Sequence, residues 1–527
     1  MKFLDTHDMY ITPLSPVHMG CGEVFEPTQY VIDGQMLYEF DPVAAAGALP
    51  PAARGQLLER TAGPGGQTML TAVQKLFHEQ RKALMPIAIS RVPVTAEMAS
   101  FHRSRVGQVA QTESSGRQLL NRLDIERTAY SPNDRRPILP GSGLKGAVRT
   151  ALLDRINGGR RHGQIDEWAR TKNDRELSSQ NGPLQQRLLE GAFELDPLRL
   201  IAISDAAAAP STGTEIRFAI NRRKRQRDSG EARPTQAEDK GLYQLLEAAQ
   251  PLQYRAFRGM LTRQDVGGLA ATRSRGGEAR QQLPKAELHW PVADIARACH
   301  RFYFGHFERE NALLAAQGLV DPQWHEAATA LIALHAEDIA AGRAFLLRVG
   351  RHSGAESVTL DGVRHIKILK GRDPTTGRQA HDYDFEAHTL WPAADGKDAH
   401  TGLMPFGWLL VELVPSGQAP VARPEGEKLV AGWAAGRQAR ASADAPQPAV
   451  APVEDVIWPK AQIKFNGRSG TFSAVGPDGK EVHAPGDAGL ALLNSLPEPV
   501  QRKLRQNQFV RAKVTVRGRD ILAVESP

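Results

Sequence analysis

Ile138-Leu139-Pro140-Gly141-Ser142-Gly143-Leu144-Lys145-Gly146-Ala147-Val148-Arg149-Thr150-Ala151-Leu152 is the stretch whose reading decides the architecture of this chain. Leu144, Val148, Ala151, Leu152 and Ile156 recur at three-to-four spacing, which predicts a helix with one apolar face. Ser142 is its expected N-cap. Gly141 to Gly146 formally satisfies G-x-G-x-x-G, but a dinucleotide fingerprint needs its first glycine directly behind a buried strand. Here only Ile138 and Leu139 precede it, between Pro137 and Pro140, and the acid at the right distance, Asp166, falls in a polar stretch. A Walker A loop is excluded as well, because Gly146 follows Lys145 where a magnesium-binding hydroxyl is required. What remains is more general. Small residues let backbone N–H groups approach a phosphate, a helix N-terminus carries partial positive charge, and Lys145 and Arg149 add full charges. The plain alternative is an ordinary capped helix start.

Outward toward the N-terminus, 9–14 is β-compatible, 16–23 is a glycine-containing loop, and 30–32 pairs with 36–40 around an Asp33-Gly34 turn. Toward the C-terminus, 158–182 is polar and glycine-bearing, a surface insertion (about 157–182) before a strand at 198–204. Arg217, Arg222, Arg223, Lys224, Arg225 and Arg227 follow with no acid among them; Arg255, Arg258, Arg263, Arg273, Arg275 and Arg280 continue the excess. A helical pattern over 292–341 leads to a strand at 344–349, a glycine loop at 350–354 and a buried strand at 403–414. From 416 to 457 the composition, rich in Ala, Pro, Gly and Gln, is that of a linker. The expected division is therefore a body over 1–415, a linker over 416–457 and a small basic β-rich module over 458–527.

The 527 residues suggest about three or four domains' worth of chain. Apolar residues at 41% and charged residues at 24% fit a folded globular protein. The net charge of +7, with its basic residues clustered, favours an anionic partner. No apolar run reaches bilayer length, and Asp5, His7 and Asp8 interrupt any leader-like stretch, so a cytoplasmic protein with no membrane partner is expected. Cys21 and Cys299, without a C-x-x-C, are expected to be free thiols.

The stretch 138–152 closely resembles the signature of the CRISPR-associated RAMP superfamily. Four further segments resemble one branch of it, the subunit-five family of type III-A (Csm) effector complexes: Thr12-Pro13-Leu14-Ser15-Pro16-Val17-His18-Met19-Gly20, the hairpin 30–41, Asp196-Pro197-Leu198-Arg199 leading to Ser204-Asp205, and Pro405-Phe406-Gly407-Trp408. They fall in that family's order and span 9–414. The resemblance implies an α+β fold of RRM-like, ferredoxin-like (RAMP) type. It also implies a non-catalytic subunit that binds the 3′ end of the guide RNA (crRNA) beside other type III CRISPR subunits.

Some RAMP relatives cut RNA, so candidate acids and bases need separate attention. Metal-independent cleavage needs a general base near the 2′-hydroxyl and an acid at the leaving oxygen. His18, His102 and His352 are the candidates, each solitary in sequence, and RNA contact is the better reading. Asp33 is explained by its turn. Cys299, His300 and His306 offer soft metal ligands, but on a helical pattern with Phe302, Tyr303, Phe304 and Phe307, where core packing is favoured. No metal, cofactor or catalytic residue is expected.

In the terminal module, Val510, Ala512, Val514 and Val516 alternate with Arg511, Lys513, Thr515 and Arg517, so one strand face is core and the other basic. Same-face side chains repeat at about 6.8 Å, close to the phosphate spacing of an extended single strand. Arg502, Lys503 and Arg505 extend the charge, and the pattern suggests a small OB-like β module. The residues expected to touch RNA are His18 and Gly20; Gly141, Ser142, Gly143, Lys145 and Arg149; Arg222, Arg223, Lys224 and Arg225; Arg351; and Arg511, Lys513 and Arg517. With aromatic residues at only 6%, backbone and charge contacts to single-stranded RNA should dominate over stacking. The enzyme alternative is a metal-independent endoribonuclease that processes CRISPR repeat RNA.

Overall fold

The computed structural model describes residues 3–62, 67–112, 118–120, 123–160, 181–189, 195–224, 242–266, 283–372, 377, 379–443, 456–467, 470–477, 479–484, 486–506, 508–517 and 520–525. The insertion expected at 157–182 lies largely outside these residues, as do Arg225, Arg227, Arg273, Arg275 and Arg280. Two compact units are present, Met1–Ala441 and Ser442–Pro527.

The first unit is organised by a sheet of seven strands, every pair antiparallel. Its order is Ala344–Arg348, Trp408–Pro415, Leu4–Pro13, Phe257–Gln264, Ala206–Ala208 and Ile138–Leu139, with Ile201–Ile203 also on Phe257–Gln264. Leu4–Pro13 is central because its apolar residues are matched on both sides: Ile11 faces Phe257 on one strand and Val411 on the other. Two helices, Gly141–Asn157 and Val292–Ala316, pack together against the sheet. The buried Tyr303 hydroxyl joins them by donating to Ala147 O at 3.0 Å. Leu144, Val148, Ala151 and Leu152 are all buried, as their spacing requires.

A second sheet runs Gly20–Phe25, Ile125–Thr128, Tyr243–Ala249, Thr214–Ile220, Ala393–Ala394, with Ile125–Thr128 parallel to Tyr243–Ala249. It carries buried charge. Arg127 reaches Glu39 at 2.9 Å and lies over the Phe25 and Tyr130 rings at 4.3 and 4.2 Å, so its guanidinium is both paired and sandwiched. Arg217, which is 1% exposed, is held by Glu215 at 2.7 Å and by Asp395. Removing one partner would strand a charge in a low-dielectric interior.

Several local expectations need correction. Pro140, not Ser142, occupies the N-cap position of the helix, and Ser142 lies exposed inside its first turn. The hairpin turn is shifted by one residue: Asp33 pairs with Met36, so Gly34 and Gln35 are central and only Gly34 needs positive φ (58°). The segment 198–204 begins as a 3-10 turn, Pro197–Leu200, capped by Asp196, before the short strand Ile201–Ile203.

The largest difference concerns the expected linker, of which Pro424–Ala443 is a helix held on the first unit. Trp433 is buried, Leu429 and Val430 pack beside it in the main core, and Arg437 binds Glu215 at 2.5 Å. Ala, Gln, Lys and Arg are strong helix formers, so a composition read as unable to fold needed only three apolar residues on one stripe to dock.

In the second unit five antiparallel strands run in the order Glu481–Ala484, Thr471–Val475, Val456–Asn466, Val510–Arg517, Asp520–Glu525. The two edge strands lie against each other, which curls the sheet. Helices Gly486–Asn494 and Glu498–Arg505 contribute Leu493 and Leu504 to a core that includes Trp458, Phe472, Ala512, Val514 and Val516.

His102 makes the first unit acid-sensitive. On helix Ala96–Arg105, its ring packs 5.6 Å from those of Tyr30 and His78, and its buried Nδ1 has no hydrogen-bond partner. Burial, with smaller contributions from His78 and Arg103, pushes its pKa down to about 3. Because the unfolded chain takes up a proton near pH 6.5 that the folded ring refuses, this stability is fully present above pH 6.5 and is lost as pH falls toward 3. Urea midpoints should therefore drop between pH 7 and 4.5, with His102 contributing about 2 kcal/mol, and His102→Leu should make the dependence shallower by that share.

Candidate nucleic-acid interface

The start of helix Gly141–Asn157 is pressed against the turn at 203–205. Gly141 N–H donates to Asp205 Oδ1 at 2.7 Å, which supplies the capping expected of Ser142. A Cβ on Gly141 would lie 2.3 Å from Ile203 O, and one on Gly143 would lie 2.6 Å from Met19 Cε. These two glycines are needed for close approach by other parts of this chain. Lys145 is half-buried with its ammonium pKa lowered by burial, partly offset by Asp196. Arg149 spans Gln185 Oε1 at 2.8 Å and Asp196 at 2.6 Å, so its charge is engaged within the protein.

His18 and Met19 bring the other loops to the same place. His18 is fully buried; its Nδ1–H donates to Glu247 O at 2.7 Å, and burial lowers its pKa. Its Nε2 has no partner and sits 3.3 Å from where a Cβ on Gly20 would be, so Gly20 leaves room for the ring. The His18 carbonyl accepts the Arg351 N–H at 3.0 Å, and a Cβ on Gly350 (φ +80°) would lie 2.3 Å from that same oxygen. Met19 N–H donates to Thr128 Oγ1 at 3.0 Å, its carbonyl accepts from Ala129 N at 2.5 Å, and its side chain lies against the Cβ positions of both Gly143 and Gly350. Gly407 (φ +90°) completes the junction: its N–H donates to Pro16 O at 2.9 Å, and a Cβ there would stand 2.2 Å from Val349 O. Segments 128–129, 141–143 and 349–351 thus meet around His18 and Met19, with 203–205 joined through Gly141 and 407 through Pro16 and Val349. Thr128 is not legible in the sequence as a member; Met19 and the Ser204-Asp205 pair lie within the quoted segments, without their roles.

The remaining sequence candidates divide sharply. Arg222 is buried, donating to the carbonyls of Asn221 at 2.8 Å and of Ala399. Arg223 is exposed, while Lys224 pairs with Glu356 at 2.5 Å. Arg351 is 41% exposed and ion-paired with Glu126. Beside it a cavity of about 590 Å³ is lined by Gly20, Gly22, Glu23, Asp124, Glu126, Arg127 and Gln244 among others. Three acids to one arginine make that cavity a poor seat for phosphate. In the second unit Arg511 is exposed, Lys513 binds Glu525 at 2.8 Å, and Arg517 closes its strand.

The candidate catalytic groups are also placed. His352, at φ +60°, stacks on Trp391 at 5.3 Å and bonds Gln244 Oε1 at 2.9 Å; burial, then Arg351, brings its pKa to about 4. Asp33 is bound by Arg81 at 2.8 Å and Lys82 at 2.7 Å, which hold its carboxyl below the usual range. Cys299 is buried in the main core and His300 stacks on Phe304 at 5.0 Å. Among the described residues no three His, Cys, Asp or Glu side chains are grouped to hold a metal ion, and no helix is long and apolar enough to cross a membrane.

The junction makes opposite demands on two glycines of one helix. Gly141→Ala should cost about 2–3 kcal/mol, because its methyl group meets backbone that cannot step aside. Gly146→Ala, with nothing within 4 Å, should stabilise by about 0.5–1 kcal/mol. Thermal melts of the two variants check this; equal shifts of the same sign would contradict the packing.

Comparison with known proteins places the chain. The family model of the RAMP superfamily matches residues 10–275. A crystal structure of T.onnurineus Csm5 aligns with a TM-score of 0.42 at 16% identity, covering 77% of this chain and 99% of that one. A chain of a cryo-EM structure of a Csm-crRNA-target RNA ternary complex in a type III-A CRISPR-Cas system aligns with a TM-score of 0.38 at 15% identity, covering 77% and 100%. No curated protein matches. With half of its length matched by one family model, and with the glycine motif at the junction of that matched region, the chain belongs to the RAMP superfamily.

Proposed function

We propose that this protein is a non-catalytic, crRNA-binding structural subunit of a type III CRISPR effector ribonucleoprotein, acting in the cytoplasm beside other subunits of that complex and holding the 3′ end of the guide. The observation that carries the reading is the junction at His18 and Met19. There a RAMP chain gathers its glycine loops and the N-terminus of its motif helix, with Ser142 exposed and Lys145 within reach of solvent. Backbone amides and a lysine suit a guide of any sequence, since contacts to the sugar-phosphate chain position RNA without reading bases.

The sheet order supports an RRM-like core. Leu4–Pro13, helix Gly141–Asn157, the strand pair within 201–208, Phe257–Gln264, helix Val292–Ala316 and Trp408–Pro415 follow a βαββαβ path, with Ala344–Arg348 added at the edge. In the second unit, the first strand between the second and fourth, with helices between third and fourth, supports the OB-like reading. The scaffold reading is favoured over the endoribonuclease by His18. Its Nδ1 proton is committed to Glu247 O and its Nε2 is closed off beneath Gly20, so neither nitrogen faces a substrate.

Two measurements test this. Lys145→Glu should reduce the RNA co-purifying with the assembled complex while leaving its melting temperature unchanged; undiminished RNA would remove the motif helix from the interface. Purified protein should leave repeat RNA intact with or without magnesium. Cleavage that disappears in His18→Ala or His102→Ala would make the protein a nuclease.

A further inference from the structure

The cations of the two units are treated differently. In the first unit Arg149, Lys224 and Arg351 each have a carboxylate partner. In the second unit Arg502, Lys503, Arg505 and Arg511 are exposed and, among the described residues, have none. Next to them, Phe509 is 63% exposed although it directly precedes the strand Val510–Arg517. An aromatic ring left in water between unpaired cations is not explained by the core, which is completed by Trp458, Phe472, Val514 and Val516 on the opposite face of the sheet.

The register shows what surrounds it. On the solvent face His483 pairs with Ser473, Ser473 with Lys464, and the next row runs from Gln462 to Arg511. Ser473 Oγ and His483 Nδ1 are 2.9 Å apart, and Lys464 Nζ lies 5.2 Å from the Phe509 ring centroid. Lys464 therefore holds the ring by a cation–π contact while leaving most of it uncovered. Arg505, ending the preceding helix, is separated from Phe509 by only three residues.

We infer that this face of the second unit is a binding site for single-stranded nucleic acid, with a base stacked on Phe509 and adjacent phosphates held by Lys464, Arg511 and Arg505. An aromatic ring flanked by unpaired cations is complementary to a strand that alternates bases with negative charges. Lys513, expected from the sequence to share this role, is neutralised by Glu525 and contributes little. The site does not depend on the reading of the first unit.

The test uses the full chain and a short fluorescent oligouridylate, with oligothymidylate as a second arm to separate RNA from DNA. Phe509→Ala should weaken binding about tenfold and Phe509→Trp should restore it. Arg511→Ser should flatten the log-log salt slope by about 0.7, whereas Lys513→Ser should leave it nearly unchanged. Ultraviolet crosslinking of 4-thiouridine-labelled RNA should map to the peptide containing Phe509. Because Phe509 and Arg511 are exposed, these variants should melt like the parent. The same measurements in Lys145→Glu protein keep the two sites apart: a loss from Phe509→Ala that persists there belongs to the second unit. Unchanged affinity and slope in both variants, with no crosslink in 456–525, would overturn the proposal and leave the face to a protein partner.

Discussion

Backbone contact with no room for a side chain is the constraint on which the first unit depends. At Gly141, Gly350 and Gly407 a Cβ would stand 2.3, 2.3 and 2.2 Å from a carbonyl oxygen of another segment. Each contact brings together parts of the chain that are distant in sequence: the motif helix with the turn at 203–205, the loop after Ala344–Arg348 with His18, and the start of Trp408–Pro415 with Val349. Met19 lies against two of these loops at once. The glycines are thus selected by what the protein does to itself.

Charge follows the same logic of internal use. Of the basic run from 217 to 227, Arg222, Arg223, Lys224 and Arg225 are the residues expected to touch RNA, yet Arg222 is buried, as is Arg217 in the same run, and Lys224 is held by Glu356. Glu215 is pulled below the usual carboxylate range by Arg217 and Arg437 despite the opposing effect of burial. Two guanidinium groups on one carboxylate stabilise its ionised form, and they also tie helix Pro424–Ala443 to the second sheet. Basic composition here describes cohesion of the body more than its reach toward a partner.

The sequence was legible where periodicity and backbone chemistry coincide. The apolar stripe of the motif helix, the strand before Gly350 and the alternation of 510–516 are physical patterns that burial reproduces. It was illegible where the partner is remote. Nothing near Arg149 announces Asp196, nothing near Gly141 announces that Asp205 will supply its acceptor, and the Ala-rich stretch after 415 conceals a helix whose docking rests on Trp433. Phe509 falls, by the same alternation, on the face of Arg511 and Lys513, but only the structure shows its ring exposed beside Lys464.

The position of the first strand has a consequence for biogenesis. Leu4–Pro13 leaves the ribosome early, but its neighbours in the sheet are Phe257–Gln264 and Trp408–Pro415. The bond that seals its end, Trp408 N–H to Ser15 Oγ, joins residues 393 apart. At about 5–20 residues per second that interval is roughly 20–80 s, and until Phe257–Gln264 has been made the strand has neither lateral partner. Such a segment is a natural client for a holding chaperone, whereas the sheet of the second unit is built from strands within 456–525 that emerge close together.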